Sequence, residues 1–440
     1  MSIQNFPAAL QPIIQQGYLE REFHQALSSR LGYRACADRE SIAVGIGETL
    51  TKTRAGLKPT VTVPLAPASN TNFDNGLAPG NWGVEQYTLT INHYAATADL
   101  NMVTSRVGIA SQFLQNAYAN GEQAARSLDE LARNALYSAY FGGNSRVRAT
   151  LSSAGPLVSL DDIRGFLVTF SNGVQQAIGL SNPLTVTIGA NVYTAIGAAA
   201  DTTNMSTTWG GVSGVLNLSG SVSVSDGTVG NTVTAATASA MIRPSGRGNT
   251  SLLNSNDTLT ISCLLDAVAR LRLNAVPEID GAYNCYLDPV SARQLFADPD
   301  FKQLFQGATS ANQVFKRGMT NDFLGLRFMP TTEVFVQQHP ALSNVMIRRP
   351  IICGAGALIE GDFAGLGALD IAPSNSIVTI VDGIAMVTRA PIDRLQQIIA
   401  QSWYWIGGFC APSDTTTNSS TVPTATNAAF KRAVMVEHAG

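Results

Sequence analysis

Imidazole is the side chain that most readily moves a proton near neutral pH or holds a transition metal. The chain carries four of them: His24, His93, His339 and His438. Catalysis or metal binding needs such a group beside a partner at a fixed spacing, as in H-E-x-x-H, where two ligands share one helix face. None of the four stands four residues from another, and no H-E-x-x-H occurs. His93 falls in a β-prone stretch and His438 near the end, so both read as surface or packing residues. Cys36, Cys263, Cys285, Cys353 and Cys410 are scattered, odd in number and free of any C-x-x-C. Buried reduced thiols are expected rather than a disulfide or metal framework. Gly45-Ile-Gly47 and Gly354-Ala-Gly356 lack the third glycine of a dinucleotide loop and read as turns. There is no Walker A and no G-x-S-x-G. Asp161-Asp162 and Asp298/Asp300 pair carboxylates, and charge at a helix start is the expected role. The Asn-x-Ser sites at Asn204, Asn217, Asn249 and Asn418 carry little meaning, because the first residues have no basic n-region or cleavage site. No catalytic residue, cofactor-binding residue or metal ligand is assigned, and no enzyme is expected.

With no reactive cluster, the weight shifts to the elements. At 440 residues the chain is too long for one ordinary core, so two or three domains are expected. Hydrophobic residues make up 45 %, ample for a core, while charged residues make up only 13 %, against a usual value of about 25 %. A surface so poor in charge suits a protein that buries much of its exterior against partners. The net charge of −3 and the lack of a Lys/Arg run argue against a dedicated nucleic-acid binder. No apolar stretch reaches the ~18 residues of a membrane span, so no membrane partner is expected and the chain is read as made in a cytoplasm.

The organising stretch is Ser105 to Phe141. Val107, Ala110, Leu114, Ala117, Gly121, Ala124, Leu128, Leu131, Ala135 and Ala139 recur in steps of three and four, one face of a helix. Gln112, Asn116, Glu122, Arg126, Asp129, Arg133 and Asn134 fall on the opposite face. Such a helix is on the order of 50 Å long at 1.5 Å per residue. It has too few large apolar groups for a zipper seam, and Gly142 to Ser145 should end it. Before it, Met1 to Glu40 reads as an arm with a short helix at Gln15 to Arg30. Gly56 to Leu65 and Val84 to Leu100 read as two β-limbs with a turn-rich tip between them. A ribbon of this kind is marginal alone and must lie on something.

After the helix, Ser159 is read as the N-cap of a second helix, Ile163 to Ala177, burying Ile163, Phe166, Leu167 and Phe170. Asn182 to Gly248 alternates with period two between Gly-Gly, Ser-Gly and Asp-Gly turns, and reads as an inserted all-β unit. A third helix from Asp257 buries Leu264, Leu265, Val268, Leu271 and Leu273. A strand at AYNCYLDP, a short helix, and further strands follow. Asp382-Gly383 signals a hairpin. Ala411 to Ala428 reads as a mobile Ser/Thr/Asn/Pro loop, and Phe430 to Glu437 reads as a last strand.

This order of elements resembles the major capsid (coat) protein of tailed bacteriophages, the Hong Kong 97-type fold. Three passages carry the resemblance: VEQYTLTINHYAATADLNMVTSRV running into the long helix, YNCYLDPVSARQLFADPDFKQLF, and FKRGMTNDFLGLRFMPTTEVF. It implies an α+β fold with an inserted all-β domain: an N-arm at 1–40, an E-loop β-ribbon at 41–100, the spine helix of a P-domain at 101–145, an A-domain at 146–181 and 249–375, the insertion at 182–248, and returning strands at 376–440. The resemblance implies a virion protein assembled in the host cytoplasm. Its partners would be itself as hexamers and pentamers, a separate scaffolding protein, a portal, cement or decoration proteins, and packaged DNA met non-specifically on the inner face. Phe73, Asp74, Trp82 and Tyr87 in the E-loop become candidate interface residues. No cofactor is implied. A surface-binding or decoration protein, with the β-unit as its ligand module, is the alternative.

Overall fold

Alanine and glycine on one helix face leave room for something large opposite, and two tryptophans fill it. In the computed structural model the long helix spans Ser111–Tyr140, 30 residues, unbroken through Gly121. The structure describes residues 32–42, 49–55, 84–101, 111–171, 174–201, 212–238, 241–248, 250–301, 322–339, 342, 344–363, 376–389, 398–412 and 432–440. The arm helix at 15–30, the limb at 56–65, the ribbon tip, the first residues of the expected long helix and the Ser/Thr-rich loop at 413–431 lie outside them. The chain divides into two compact units. One comprises Met1–Leu50, Thr88–Ala135 and Leu358–Cys410; the other comprises Thr51–Tyr87, Leu136–Ala357 and Ala411–Gly440.

In the first unit, Ala117, Ala124, Ala125 and Leu128 of the long helix pack against Val381, Ile384, Met386, Trp403 and Trp405. Trp405 has no exposed surface, and it stacks between Tyr94 and Phe409. Burying a side chain of this size stabilises by roughly 2–3 kcal/mol. The tryptophans sit on a 13-residue strand, Ile398–Cys410. The sheet runs Ala37–Ile42, Leu358–Phe363, Ile398–Cys410, Ile384–Arg389, Ser376–Val381, with Asn92–Asn101 also paired to Ile398–Cys410. The expected hairpin is present: Asp382 and Gly383 take φ of 52° and 78°, both left-handed, as a two-residue type I′ turn requires. The expected second limb of the ribbon divides at Ile91. Val84–Thr90 pairs with Thr49–Ala55 as a two-stranded sheet, and Asn92–Asn101 joins the six-stranded one.

In the second unit, a six-stranded sheet runs Asn144–Arg146, Thr232–Ala235, Leu184–Ile188, Asn191–Ala200, Gly214–Val222, Gly155–Leu160. Its outer strands meet through a bridge between Val147 and Leu160 and a bond from Arg148 N–H to Ser159 O at 2.8 Å. The sheet therefore closes into a small barrel, which leaves no open edge between those strands. Val147, Val158, Leu160, Val186, Ile188, Leu216, Leu218 and Val233 fill its core. The β-unit is thus wider than the expected 182–248, because two strands from 144–160 complete it.

A second core surrounds helix Ile261–Leu273 and strand Tyr283–Leu287, all five of whose residues are buried. Asp288 caps the short helix Pro289–Ala297 by accepting the N–H of Val290. Asp298 accepts the N–H of Ile261 at 2.8 Å, so its charge does serve a helix start.

Four expectations fail. Ile163 to Ala177 is not a helix: Val168–Ser171 and Val174–Ala177 form a hairpin, and Ser159 lies in a barrel strand. The cause is Gly165, whose φ of +80° is left-handed and whose added Cβ would fall 2.0 Å from the backbone N of Gly143. β-Branched and aromatic residues after it then favour strand. Ile163 and Phe166 are buried as expected, but Leu167 is exposed, and the Phe170 side chain is outside the description. The third helix starts at Ile261, not Asp257, and its Leu265 and Leu273 face outward. Asp129, expected on a solvent face, is buried. The last strand divides into Ala433–Met435 and His438–Ala439, and Val434 and Val436 enter the second unit's core.

Replacing Gly165 by Ala forces a Cβ onto backbone in a left-handed conformation and should cost about 3 kcal/mol. Gly179, with nothing within 4 Å of a built Cβ, is the control. Thermal melting should fall clearly for Gly165→Ala and stay near wild type for Gly179→Ala; equal melting of both variants contradicts the assignment.

Candidate functional site

Among the described residues, no group of three or more His, Cys, Asp or Glu is placed to hold a metal ion. Gly354 and Gly356 lie in the turn between strands Ile351–Cys353 and Leu358–Phe363. One arrangement has the composition of a hydrolase triad. Ser291 Oγ lies 2.7 Å from His438 Nε2, and it also contacts Asp288 Oδ1. Arg348 Nη1 donates to Asp288 Oδ2 at 2.5 Å. In a hydrolase the carboxylate orients the imidazole and the serine faces substrate. Here the carboxylate holds the serine, and His438 Nδ1 faces the carbonyl of Ala439 at 3.1 Å. Ser291 and His438 have no exposed surface at all, so no substrate reaches them. The cluster is a fastener for the chain's last residues. Its members lie 147 positions apart, and no local spacing announces it.

A stronger fastener stands beside it. Glu437, fully buried, takes Arg349 Nε at 2.7 Å and Arg243 Nε at 2.6 Å. Thr250 Oγ1 donates to the same carboxylate at 3.0 Å. Burial pushes the Glu437 carboxyl up, but the two guanidinium groups outweigh it and hold it below the usual carboxylate range. Burial lowers the Arg349 guanidinium, and Glu437 opposes that. The Arg349 plane also lies 4.4 Å from the Phe141 ring centroid, a cation–π contact.

The first unit repeats the device. Asp129 Oδ1 accepts the backbone N–H groups of Gly32, Tyr33 and Arg34, at 3.0, 2.6 and 3.2 Å. It thereby satisfies the orphan donors of the short 3₁₀ helix Tyr33–Cys36. Arg34 grips the buried Glu360 with Nε and Nη2 and reaches Asp382 in the hairpin at 2.9 Å. Arg39 closes the group on Asp382 at 2.5 Å.

The remaining candidates are surfaces. Trp403 and Trp405 face the helix, so the alternate residues face away. That face pairs Tyr404 with Ala95 and Ala385, and Ser402 with Thr97 and Val387. Ser402 Oγ donates to Thr97 Oγ1 at 2.7 Å, and His93 meets Tyr404 edge-on. The charges these strands bring to that face, Asp99 and Arg389, stand together at one end, both in register with Ala400. Of the four E-loop interface candidates, Phe73, Asp74 and Trp82 lie outside the described residues. Tyr87 is 7 % exposed, so its ring packs inside the subunit.

No protein-family model matches the chain, and no curated protein matches it either. Solved structures do. The capsid of Ralstonia phage GP4 aligns at a TM-score of 0.51 and 11 % identity, covering 93 % of this chain and 91 % of that one. The chain shares its fold with a phage capsid protein. The capsid of Cyanophage P-SCSP1u aligns at a TM-score of 0.45 and 10 % identity, over 92 % of this chain and 86 % of that one. The buried ion groups join segments far apart in the chain.

His438 makes the second unit acid-sensitive. Burial, opposed by the Ala439 carbonyl and Asp288, lowers its pKa from 6.5 to about 4. A group whose folded pKa is depressed contributes stability that is whole above its unfolded pKa and lost as pH falls toward the folded one. Melting should therefore decline from about pH 6.5 downward, by about 3 kcal/mol at about pH 4. His438→Gln should flatten that part of the profile. An unchanged slope in the variant contradicts the role.

Proposed function

We propose that this chain is the major capsid protein of a tailed phage, a subunit that self-assembles into the icosahedral head shell around double-stranded DNA. The observation that carries the reading is the end-to-end likeness to a phage capsid, over 93 % of this chain and 91 % of that one. A match over nearly the whole of both chains involves the complete subunit plan, not a shared module. The low overall charge, 13 % of residues, supports it, because a shell subunit is covered on most sides by copies of itself.

In this reading, 1–40 is the N-arm and 41–100 the E-loop, whose two-stranded part is too small to be stable alone and gains its support from a neighbouring subunit. The long helix is the spine of the P-domain. Residues around 249–357 form the body of the A-domain, directed to the axis of hexamers and pentamers, and the barrel at 144–235 stands as the inserted β domain. A scaffolding protein, a portal and cement proteins complete the set of partners, and DNA is met on the inner face without sequence preference.

Negative-stain microscopy of the expressed chain, alone and with the candidate scaffolding protein from the same genome, tests this. Closed shells, free capsomers or polyheads of uniform curvature are expected. A monodisperse monomer under both conditions, particularly one that binds a glycan, overturns it.

A further inference from the structure

The contact between the long helix and the strand Ile398–Cys410 is not wholly apolar. Asn116, Asn120 and Gln123 recur in steps of four and three, one stripe of the helix. Gln401, Trp403 and Trp405 alternate along the strand on the side that meets it. Two hydrogen bonds cross between them. Asn116 Nδ2 donates to Gln401 Oε1 at 2.6 Å, and Trp403 Nε1 donates to Gln123 Oε1 at 3.2 Å. Asn120 falls between these crossings on the stripe. Asn120 is 5 % exposed and Gln401 1 %. Among the described residues, neither Asn120 Nδ2 nor Gln401 Nε2 meets a hydrogen-bond acceptor. A third such donor, Trp405 Nε1, belongs to the ring edge against Gly407, farther along the strand.

A buried N–H without an acceptor is strongly destabilising, and native proteins rarely keep one. Two of them side by side call for the same partner. We propose that a water molecule is bound inside this helix–sheet contact, accepting from Asn120 Nδ2 and Gln401 Nε2 and so completing the polar stripe between the two crossings. The chemistry of the donors selects the occupant. Both are neutral amides, so a buried anion there would have no cation to offset its desolvation. A metal cation would face N–H groups instead of lone pairs, and an apolar group would leave both donors unmet. Water brings two lone pairs for the two amides. Its own hydrogens need acceptors, and Thr388, in register with Gln401 on the same face, brings a hydroxyl. The neighbours are small: Ala117, Gly121 and Ala124 on the helix, and Ala98 in register with Gln401. None extends beyond a methyl group, which leaves space for a molecule of this size. The small residues of the helix thus serve the water as well as the tryptophans.

A density map of the full wild-type chain, free or assembled, at a resolution that shows ordered water tests it. An isolated peak about 3 Å from both Asn120 Nδ2 and Gln401 Nε2 is expected. A dry contact, or a direct bond between the two amides, overturns the site. Thermal melting of Asn120→Leu, Gln401→Met and the double variant gives a second reading, since each substitution removes one donor with little change in volume. Each single variant should melt lower than wild type. The double variant should fall by less than the sum of the two, because either loss alone already releases the water. Additive shifts, or a single variant that melts higher than wild type, contradict a shared water.

Discussion

A carboxylate without access to water is strongly destabilising unless charged partners meet it, and Glu437 meets two. Arg349 and Arg243 close on it from positions 88 and 194 residues away. Removing one partner of such a buried group typically costs about 3–5 kcal/mol, so the second unit holds together only if all three segments arrive. The segment that carries Glu437 brings His438 to Ser291 and the strand Ala433–Met435 to Ile351–Cys353. The last described residues are thus central to the fold rather than an appendage.

The same economy of charge appears in the first unit, where Asp129 ties down Gly32 to Arg34, and Arg34 joins Glu360 to the Asp382 turn. Among the described residues, nine charged ones are buried: Arg34, Asp129, Asp162, Asp226, Asp257, Asp288, Arg349, Glu360 and Glu437. In a chain with only 13 % charge, that draws on an already small supply for the surface. The consequence is sheet faces with few charges in both units, among them Asp99 and Arg389 in the first and Arg146 in the second. Neutral faces are a liability for a free protein and an advantage for a subunit that is covered on assembly.

How legible this was depends on how local the cause is. The long helix is written as a regular three-and-four spacing, and the Asp382-Gly383 hairpin as a dipeptide whose φ values few other residues adopt. Both appear where the pattern puts them. The helix read at Ile163 to Ala177 fails because Gly165 sits against Gly143, an approach between residues that the sequence alone does not bring together. Asp129 looks like any polar residue on a solvent face; only the docking of residues 32 to 34 makes it a cap. The fasteners at Glu437 and His438 join segments far apart in the chain, so spacing carries no trace of them. The interface candidates show the opposite limit. Tyr87 has a ribbon position, and burial depends on packing that ribbon position does not encode.

Hydroxyl-radical footprinting of the free and the assembled chain tests most directly that the charges work inside and the neutral faces between subunits. Val192 and Ile380, exposed in the single chain, should react in free subunits and become protected on assembly, while Trp405, with no exposed surface, stays unreactive in both. Equal reactivity of Val192 and Ile380 in free and assembled protein would contradict the account.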